Sequence, residues 1–244
     1  MAERNPHLFW GLVAIAVALV ICSMIGARAV HDAKRSGDEI SVTGSARKPV
    51  TSDLIIWSGS VGAQSDSLTG AYQTVQQYTE RVKAYLKDQK VPDTAVTYPP
   101  VTTETIMEMR EDGRETGKIL GYKLTQAFTI NSNDVNGITS LSRRITSLIK
   151  EGIPLASQPP EYLVTKLADL RLEMLDEATK DAKLRAEKIA KSAGSKIGPV
   201  RGARMGVFQI TPRYSTDVSG AGINDTSSLE KDITAVVSIT FAVE

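Results

Sequence analysis

The sequence predicts an α+β protein in which largely antiparallel sheets carry helices on one face, preceded by one transmembrane helix. Two observations predict this fold class. Pairs of segments with alternating apolar and polar residues are interleaved with single segments of helical spacing, in the order ββα-ββα-βαββ. Ahead of them, residues 8–25 form a run of 18 uncharged, mainly apolar residues.

The first ββα unit begins at Ile40, where an alternating strand follows a polar segment. A second strand is predicted at residues 54–63, with Ile55, Trp57 and Val61 on one face. Residues 67–89 then change to helical spacing. The apolar stripe of this predicted helix contains Leu68, Ala71, Tyr72, Val75, Tyr78, Val82, Tyr85 and Leu86.

The second unit is predicted to be a long β-hairpin and a helix. The hairpin strands are residues 94–110 and 118–131. Asn133 or Asp134 can cap the helix that follows, and Gly152 ends it. The stripe of this helix contains Val135, Ile138, Leu141, Ile145 and Leu148.

The last part of the chain combines a strand near residues 155–164 with the longest helix, residues 166–193, and two closing strands near residues 199–210 and 232–243. Between the closing strands, residues 211–231 form a polar loop that we expect to be mobile unless a partner orders it. In the long helix alanine recurs every four residues, which permits close backbone approach to a sheet or another helix. These residues are Ala178, Ala182, Ala186 and Ala190.

The composition excludes several classes of chemistry. Lys and Arg number 29 and Asp and Glu 28, so the formal net charge of +1 argues against a generic polyanion binder. His7 and His31 flank the apolar run, and Cys22 lies inside it. Because residues 32–244 contain neither His nor Cys, they hold no zinc site of those ligands, no Ser-His-Asp or Cys-His catalysis and no intrachain disulfide.

The apolar run favours an uncleaved transmembrane helix, because 18 residues at about 1.5 Å each extend about 27 Å. A cleaved signal peptide is the alternative, with Ala27-Arg28-Ala29 as its site, although the run is long for one and only Arg4 precedes it. A lipoprotein signal is rejected because the large Ile21 precedes Cys22. The predicted anchor residues are Leu8, Phe9, Trp10, Val13, Ile15, Val17, Leu19, Ile21 and Ile25.

We therefore divide the chain into an anchor at residues 1–30, a polar linker at residues 31–39 and an α+β domain at residues 40–244. Lys and Arg are denser after the apolar run than before it, which by itself would favour a cytoplasmic domain. The excess is small and is diluted by Asp32, Asp38 and Glu39, so charge leaves the orientation open.

Several short motifs follow one another in an order that resembles a known family. Ile40-Ser-Val-Thr-Gly-Ser opens the series, and Gly121-Tyr starts a strand that ends in Phe128-Thr-Ile. A Leu-x-x-Leu-Ile helix ends at Glu151-Gly-Ile, and the alanine-rich helix leads to Ile197-Gly-Pro-Val. Over about residues 39–244 the chain resembles the SIMPL-domain family of bacterial secreted or membrane-anchored proteins.

The resemblance implies two intertwined subdomains and an extracytoplasmic location at the bacterial inner membrane. Some members are periplasmic proteins linked to oxidative-stress defence, and one is an immunogen that assembles into a large ring. The family has no established catalytic residues, so none is carried over. The chain departs from the family pattern at residues 48–53 and 152–160, and in having an apolar helix in place of a cleaved signal.

Three classes of function follow from these observations. The favoured class is a non-enzymatic, membrane-anchored scaffold that forms a homo-oligomer, with strands such as residues 40–47 or the long hairpin adding to a neighbour's sheet. The second is an accessory or chaperone-like subunit that binds another envelope protein through the polar loop. The candidate partner residues in this loop are Tyr214, Asp217, Asn224 and Asp225.

The third class, an enzyme that works without His or Cys, is less favoured. Carboxylates gather near the hairpin and are able to bind a cation or act as acid and base, although a solvated hairpin tip explains them more simply. They are Glu104, Glu108, Glu111, Asp112 and Glu115. We predict no catalytic, cofactor-binding or metal-binding residue, no cofactor and no nucleic-acid partner, since the tyrosines lie on a helical stripe without a basic run.

Overall fold

The computed structural model describes residues 6–35 and 38–244, and its first element is a long helix, α1 (Pro6–Arg35). The side chains of Leu8, Phe9 and Val13 lie outside the described residues. The other predicted anchor side chains are each more than half exposed, namely Trp10, Ile15, Val17, Leu19, Ile21 and Ile25. Counted over the described residues, no helix is long and apolar enough to cross a membrane.

After α1, the described residues contain three further α-helices, eleven strands and two short 3-10 segments, Asp93–Ala95 and Ile145–Glu151. The helices are α2 (Leu68–Asp88), α3 (Val135–Arg144) and α4 (Leu167–Ser192). The strands are β1 (Glu39–Thr51), β2 (Leu54–Ser65), β3 (Val96–Thr97), β4 (Thr102–Met109), β5 (Glu115–Ser132), β6 (Leu155–Ser157), β7 (Glu161–Leu163), β8 (Ile197–Met205), β9 (Gln209–Pro212), β10 (Ile223–Asn224) and β11 (Glu230–Val243).

The α+β class is confirmed, but the simple order ββα-ββα-βαββ is not, because three predicted strands are interrupted. The first is split between β3 and β4 by Pro99 and Pro100, and the second between β6 and β7 by Pro159 and Pro160. Proline has no N–H to donate to a ladder, so a pair of prolines ends the pairing. The third is split between β8 and β9, next to Gly206.

The chain divides into two compact units, each built from separated segments. Unit 1 contains residues 1–47, 171–208 and 234–244, and unit 2 contains residues 48–170 and 209–233. The long strands β1 and β11 contribute residues to both units.

Unit 2 has an antiparallel sheet in which β5 and β2 are the central pair, with β3 and β4 beside β5, and β6 and β7 beside β2. The core lies on one face of this sheet. Trp57 of β2 and Phe128 of β5 meet edge to face there, with ring centroids 5.5 Å apart. Val82 of α2 and Leu141 of α3 belong to the same buried cluster. Both helices therefore cover one face of the sheet, as the sequence predicts.

Helix α2 buries a narrower stripe than its sequence suggests. Ala71, Val75, Val82 and Leu86 are buried as predicted. Leu68 and Tyr72 stay about half exposed, at 46% and 44%. Thr79 is buried instead, because its hydroxyl donates to the carbonyl of Val75 at 2.8 Å and so has a partner away from water. Ser67 caps the helix through the backbone N–H of Gly70.

In unit 1, β11 lies between β1 and β8, and α4 packs on the sheet. The four predicted alanines of α4 and Met174 are fully buried. Gly44 of β1 allows the close approach: a Cβ atom there would lie 2.7 Å from the Cα atom of Ala182. The close packing predicted from the alanine spacing is thus confirmed. Gly194 ends the helical region with φ +76°.

Candidate functional site

The polar loop between β9 and β11 is held by the domain itself, so the expectation that it is mobile without a partner is wrong. The backbone N–H of Asp225 donates to Ile210 of β9 at 2.9 Å, and the carbonyl of Thr226 accepts from Tyr162 of β7 at 2.7 Å. Near its middle, the amide of Gln209 donates to the carbonyl of Ser219 at 2.7 Å. Short polar side chains and backbone groups thus satisfy one another without a partner.

A buried ion pair is the main anchor of this loop. Lys231, at the start of β11, lies 3.1 Å from the carboxylate of Asp225, and the exposed fractions of the two side chains are 2% and 8%. The ammonium also donates to the carbonyl of Asp225. The hydroxyl and the backbone N–H of Ser227 both donate to this carboxylate, at 2.7 and 2.9 Å. The charges are therefore compensated by hydrogen bonds as well as by each other.

The pKa values of this pair follow from burial and hydrogen bonding. Burial raises the pKa of Asp225, but hydrogen bonds from Ser227, Ser228 and Lys231 outweigh it, and the pKa lies well below its ordinary value. Burial lowers the pKa of Lys231, and its contact with Asp225 offsets part of that effect. The carboxylate is consequently ionised throughout the neutral range.

The predicted partner residues of the loop fall into two environments. Asp225 is an internal anchor with little exposed surface. Tyr214, Asp217 and Asn224 are exposed, and Tyr214 has φ +66° with 80% of its surface in solvent. Val218 is 82% exposed and was not predicted. The segment that can meet a partner is therefore residues 214–218, together with Asn224.

Lys231 is the residue that sequence reasoning missed, although the signal was present. The alternation of β11 places Ile233, Ala235 and Val237 on the buried face. Counting back by two from Ile233 gives Lys231, which belongs to the same face. A lysine at an inward position needs a buried partner, and the nearby acidic residues of the loop were the candidates.

The hairpin carboxylates do not converge on one point. Glu104 pairs with Lys123 at 3.3 Å, and Glu108 pairs with Lys118 at 3.2 Å and accepts from the hydroxyl of Thr116. The carboxylate of Asp112 accepts from the backbone N–H of Arg114 within the turn. Within the part of the chain that the structure describes, no three or more His, Cys, Asp or Glu side chains group as metal ligands.

Two of the open grooves in unit 2 are lined by both polar and apolar residues. The larger, of about 580 Å³, is lined by Ser60, Thr74 and Tyr78 among others, with Lys123 as its charged residue. The second, of about 500 Å³, surrounds Tyr98. There Lys83 lies 5.3 Å from the centre of the Tyr98 ring and 2.7 Å from Glu80. Burial raises the pKa of Tyr98, and the charges of Asp93 and Glu80 add to this shift.

The fold and the surface together define a class: an α+β domain of two compact units that follows an N-terminal helix in the chain. Its exposed features are edge strands and a polar loop. The chain belongs to the SIMPL family, described as a protein of unknown function (DUF541), whose model matches residues 40–241. The family resemblance seen in the sequence is thereby confirmed.

No curated protein matches this chain. Among solved structures, it is similar to the ligand-free regulatory subunit of aspartate kinase from Thermus thermophilus, with 13% sequence identity. That match covers 80% of this chain and 88% of the other, with a TM-score of 0.17. At such a TM-score the likeness supports no conclusion about fold or function.

Proposed function

We propose that this protein is a membrane-anchored scaffold whose α+β domain lies outside the cytoplasm and assembles into a homo-oligomer. The family resemblance adds the expectation of a role in the envelope or in oxidative-stress defence. The proposed anchor is residues 8–25, because an uncharged run of 18 residues has the length of a bilayer core.

The observation that carries the scaffold proposal is the presence of strands that are paired on one side only. In the described sheets, β4 pairs only with β5, and β8 pairs only with β11. Edge strands expose N–H and C=O groups to which another chain can add. On β8, Val200 and Met205 are also 56% and 55% exposed, so the edge carries apolar surface.

Strand β1 is a less open edge than its sequence suggests. Its residues 40–46 have no charge and no proline, but the backbone N–H of Ser45 donates to the carboxylate of Asp181 at 2.8 Å. Helix α4 therefore occupies one of the groups that an added strand would need. We accordingly assign assembly to β4 and β8 in preference to residues 40–47.

The test is to purify the full chain from membranes in a mild detergent and to measure its mass by light scattering. Electron microscopy of the same sample gives the size, and mass spectrometry gives the N-terminus and any co-purifying protein. We expect a discrete oligomer with residues 1–30 retained. A monomer at all protein concentrations would overturn the scaffold proposal.

An accessory subunit is the second candidate, and the exposed segment 214–218 favours it. Tyr214 and Val218 have the two most exposed large apolar side chains among the described residues. Deleting residues 215–228 would remove Asp225 and its contact with Lys231, so point changes are the better test. Tyr214→Ser with Val218→Ser should abolish co-purification of one envelope protein, whereas Thr216→Ala, a change at an exposed neighbour, should preserve it.

A further inference from the structure

The outer part of the β4–β5 hairpin extends past the sheet of unit 2. The last residue of β2, Ser65, lies opposite Tyr122 of β5. Beyond that point, residues 106–121, which we call the arm, consist of two strands and a turn that pair only with each other in the described structure. A two-stranded ribbon is at best marginally stable in water, so an uncovered arm gains from a partner surface.

The two faces of the arm differ in character. Side chains of β4 alternate, so Glu108 lies on the opposite face from Met107 and Met109. Glu108 pairs with Lys118 across the ribbon, which makes this the charged face. On the other face, Met107 lies directly opposite Ile119, and beyond an irregularity in the pairing Met109 lies opposite Glu115 at the edge of the turn.

The apolar face of the arm continues the core face of the sheet. Thr103 pairs with Leu124, whose side chain is buried against Ala71 and Val75 of α2. Two residues further out along β4 the same face reaches Thr105, and then Met107 and Met109. Within the arm it is no longer covered, since Met109 is 59% exposed and Ile119 48%. Exposed apolar residues grouped in this way mark interaction sites.

Charges at the arm tip indicate which partner fits. Arg110, Glu111, Asp112, Arg114 and Glu115 form no ion pair within the described residues, and they comprise two positive and three negative side chains. The Glu108–Lys118 pair of the charged face is balanced, so the arm has no excess of basic residues. A lipid surface or a polyanion favours an excess of basic residues. A second copy of the same tip supplies both signs.

We propose that the arm packs through its apolar face onto the same face of the arm of a second copy, with the two tips exchanging ion pairs. This inference rests on the proposed scaffold function and names the element that joins two copies. The contact is isologous, so each apolar residue of the arm is buried in both copies. The arm then gains from its partner the cover that it lacks in the single chain.

The first test compares two double variants of the full chain in mild detergent by sedimentation velocity. Met109→Thr with Ile119→Thr removes the apolar face but keeps strand-forming residues. We expect the dissociation constant between copies to rise at least about tenfold, because each change acts twice in the pair. Glu108→Thr with Lys118→Thr alters the charged face of the same arm and is the matched control, which should associate like the original chain.

The second test uses the tip charges. A chain with Arg110→Glu and Arg114→Glu and a chain with Glu111→Arg and Glu115→Arg should each associate at least about tenfold more weakly than the original. Mixing the two chains should restore association, since an acidic tip then meets a basic one. If the arm binds lipid instead, the chain with the basic tip should bind vesicles and the chain with the acidic tip should not. That result would overturn the proposal.

The outcomes separate this inference from the proposed function. If the original chain is oligomeric and the Met109, Ile119 variant has the same mass and dissociation constant, the arm assignment is wrong and the scaffold proposal stands. If the original chain is monomeric, both fail. Circular dichroism of each variant establishes that the domain is folded before its mass is compared.

Discussion

The Lys231–Asp225 pair shows how one inward lysine fixes the course of a polar loop. The alternation of β11 directs Lys231 inward, and only 2% of the surface of its side chain is exposed to solvent. Leaving such a charge without a partner costs several kcal/mol. The loop conformation that brings Asp225 within 3.1 Å is therefore strongly preferred over the alternatives.

Replacing Asp225 should consequently destabilise the protein. Asp225→Asn removes the counter-charge and leaves the ammonium buried, for which we expect a loss of about 3–5 kcal/mol in the free energy of unfolding. Urea denaturation followed by circular dichroism measures this change. Asp217→Asn, an exposed change in the same loop, should stay within about 0.5 kcal/mol. Equal effects of the two variants would show that the pair does not anchor the loop.

The same residue should make stability depend on acid pH. The pKa of Asp225 is lower in the folded protein than its ordinary value near 3.8. Its stabilising contribution is therefore complete above about pH 5 and is lost as the pH falls through about 4 toward the folded pKa. In urea denaturation at a series of pH values, the difference in stability between the original chain and Asp225→Asn should narrow below pH 4. A constant difference would contradict the assigned shift.

At the scale of the element, the contact between α4 and β1 depends on Gly44, which has no side chain to keep the two backbones apart. The alanine ladder gives α4 a flat surface, and Gly44 gives β1 a matching one. The carboxylate of Asp181 adds a bond to the backbone N–H of Ser45, and that bond together with Arg185 holds the pKa of Asp181 below its ordinary value.

Gly44→Ala should therefore destabilise unit 1 in spite of the better strand propensity of alanine. Its Cβ atom would lie 2.7 Å from the Cα atom of Ala182, so the backbone must move. We expect a loss of about 1–3 kcal/mol in thermal or urea denaturation. Gly202→Ala in β8 is the matched control, because nothing lies within 4 Å of the added atom. If the two variants had equal stability, the close packing of α4 on Gly44 would be wrong.

The elements differ in how far their sequences predict them. Helices α2 and α4 match their predicted ranges to within about one residue at each end. Asp134 caps α3 as predicted, because such a cap is a local signal. However, α3 ends at Arg144, and the residues up to the predicted stop at Gly152 form a 3-10 segment instead. The strand breaks were missed because residues 94–110 and 155–164 were each taken as one strand, although the pairs of prolines inside them lack the N–H groups that pairing needs. The loop was misjudged because its partner groups, such as Ile210 and Tyr162, come from distant strands.

At the scale of the whole molecule, one thiol-labelling experiment tests both the membrane anchor and the side of the membrane on which the domain lies. The chain has a single cysteine, Cys22, inside the apolar run. A thiol reagent that does not cross membranes should modify Cys22 in intact cells only after detergent is added. Thr216→Cys in a Cys22→Ser background places the thiol on the exposed loop. It should react without detergent if the domain is extracytoplasmic.

Reaction of Cys22 without detergent would exclude a bilayer anchor, and protection of the Thr216→Cys thiol would place the domain in the cytoplasm. The two thiols thus report independently on the two parts of the proposal. Both labelling measurements use the full chain, so they do not depend on whether the domain can be produced alone.

The order of the strands in the sheet of unit 1 has a consequence for synthesis. Strand β11 lies between β1 and β8 in this sheet, although it follows both of them in the chain. Strand β1 therefore acquires its neighbour only after the 14 residues of β11 have been made. A chain cut before residue 230 leaves β1 and β8 without the strand that each of them pairs with. Pairing of these two strands thus depends on a segment that is synthesised long after β1.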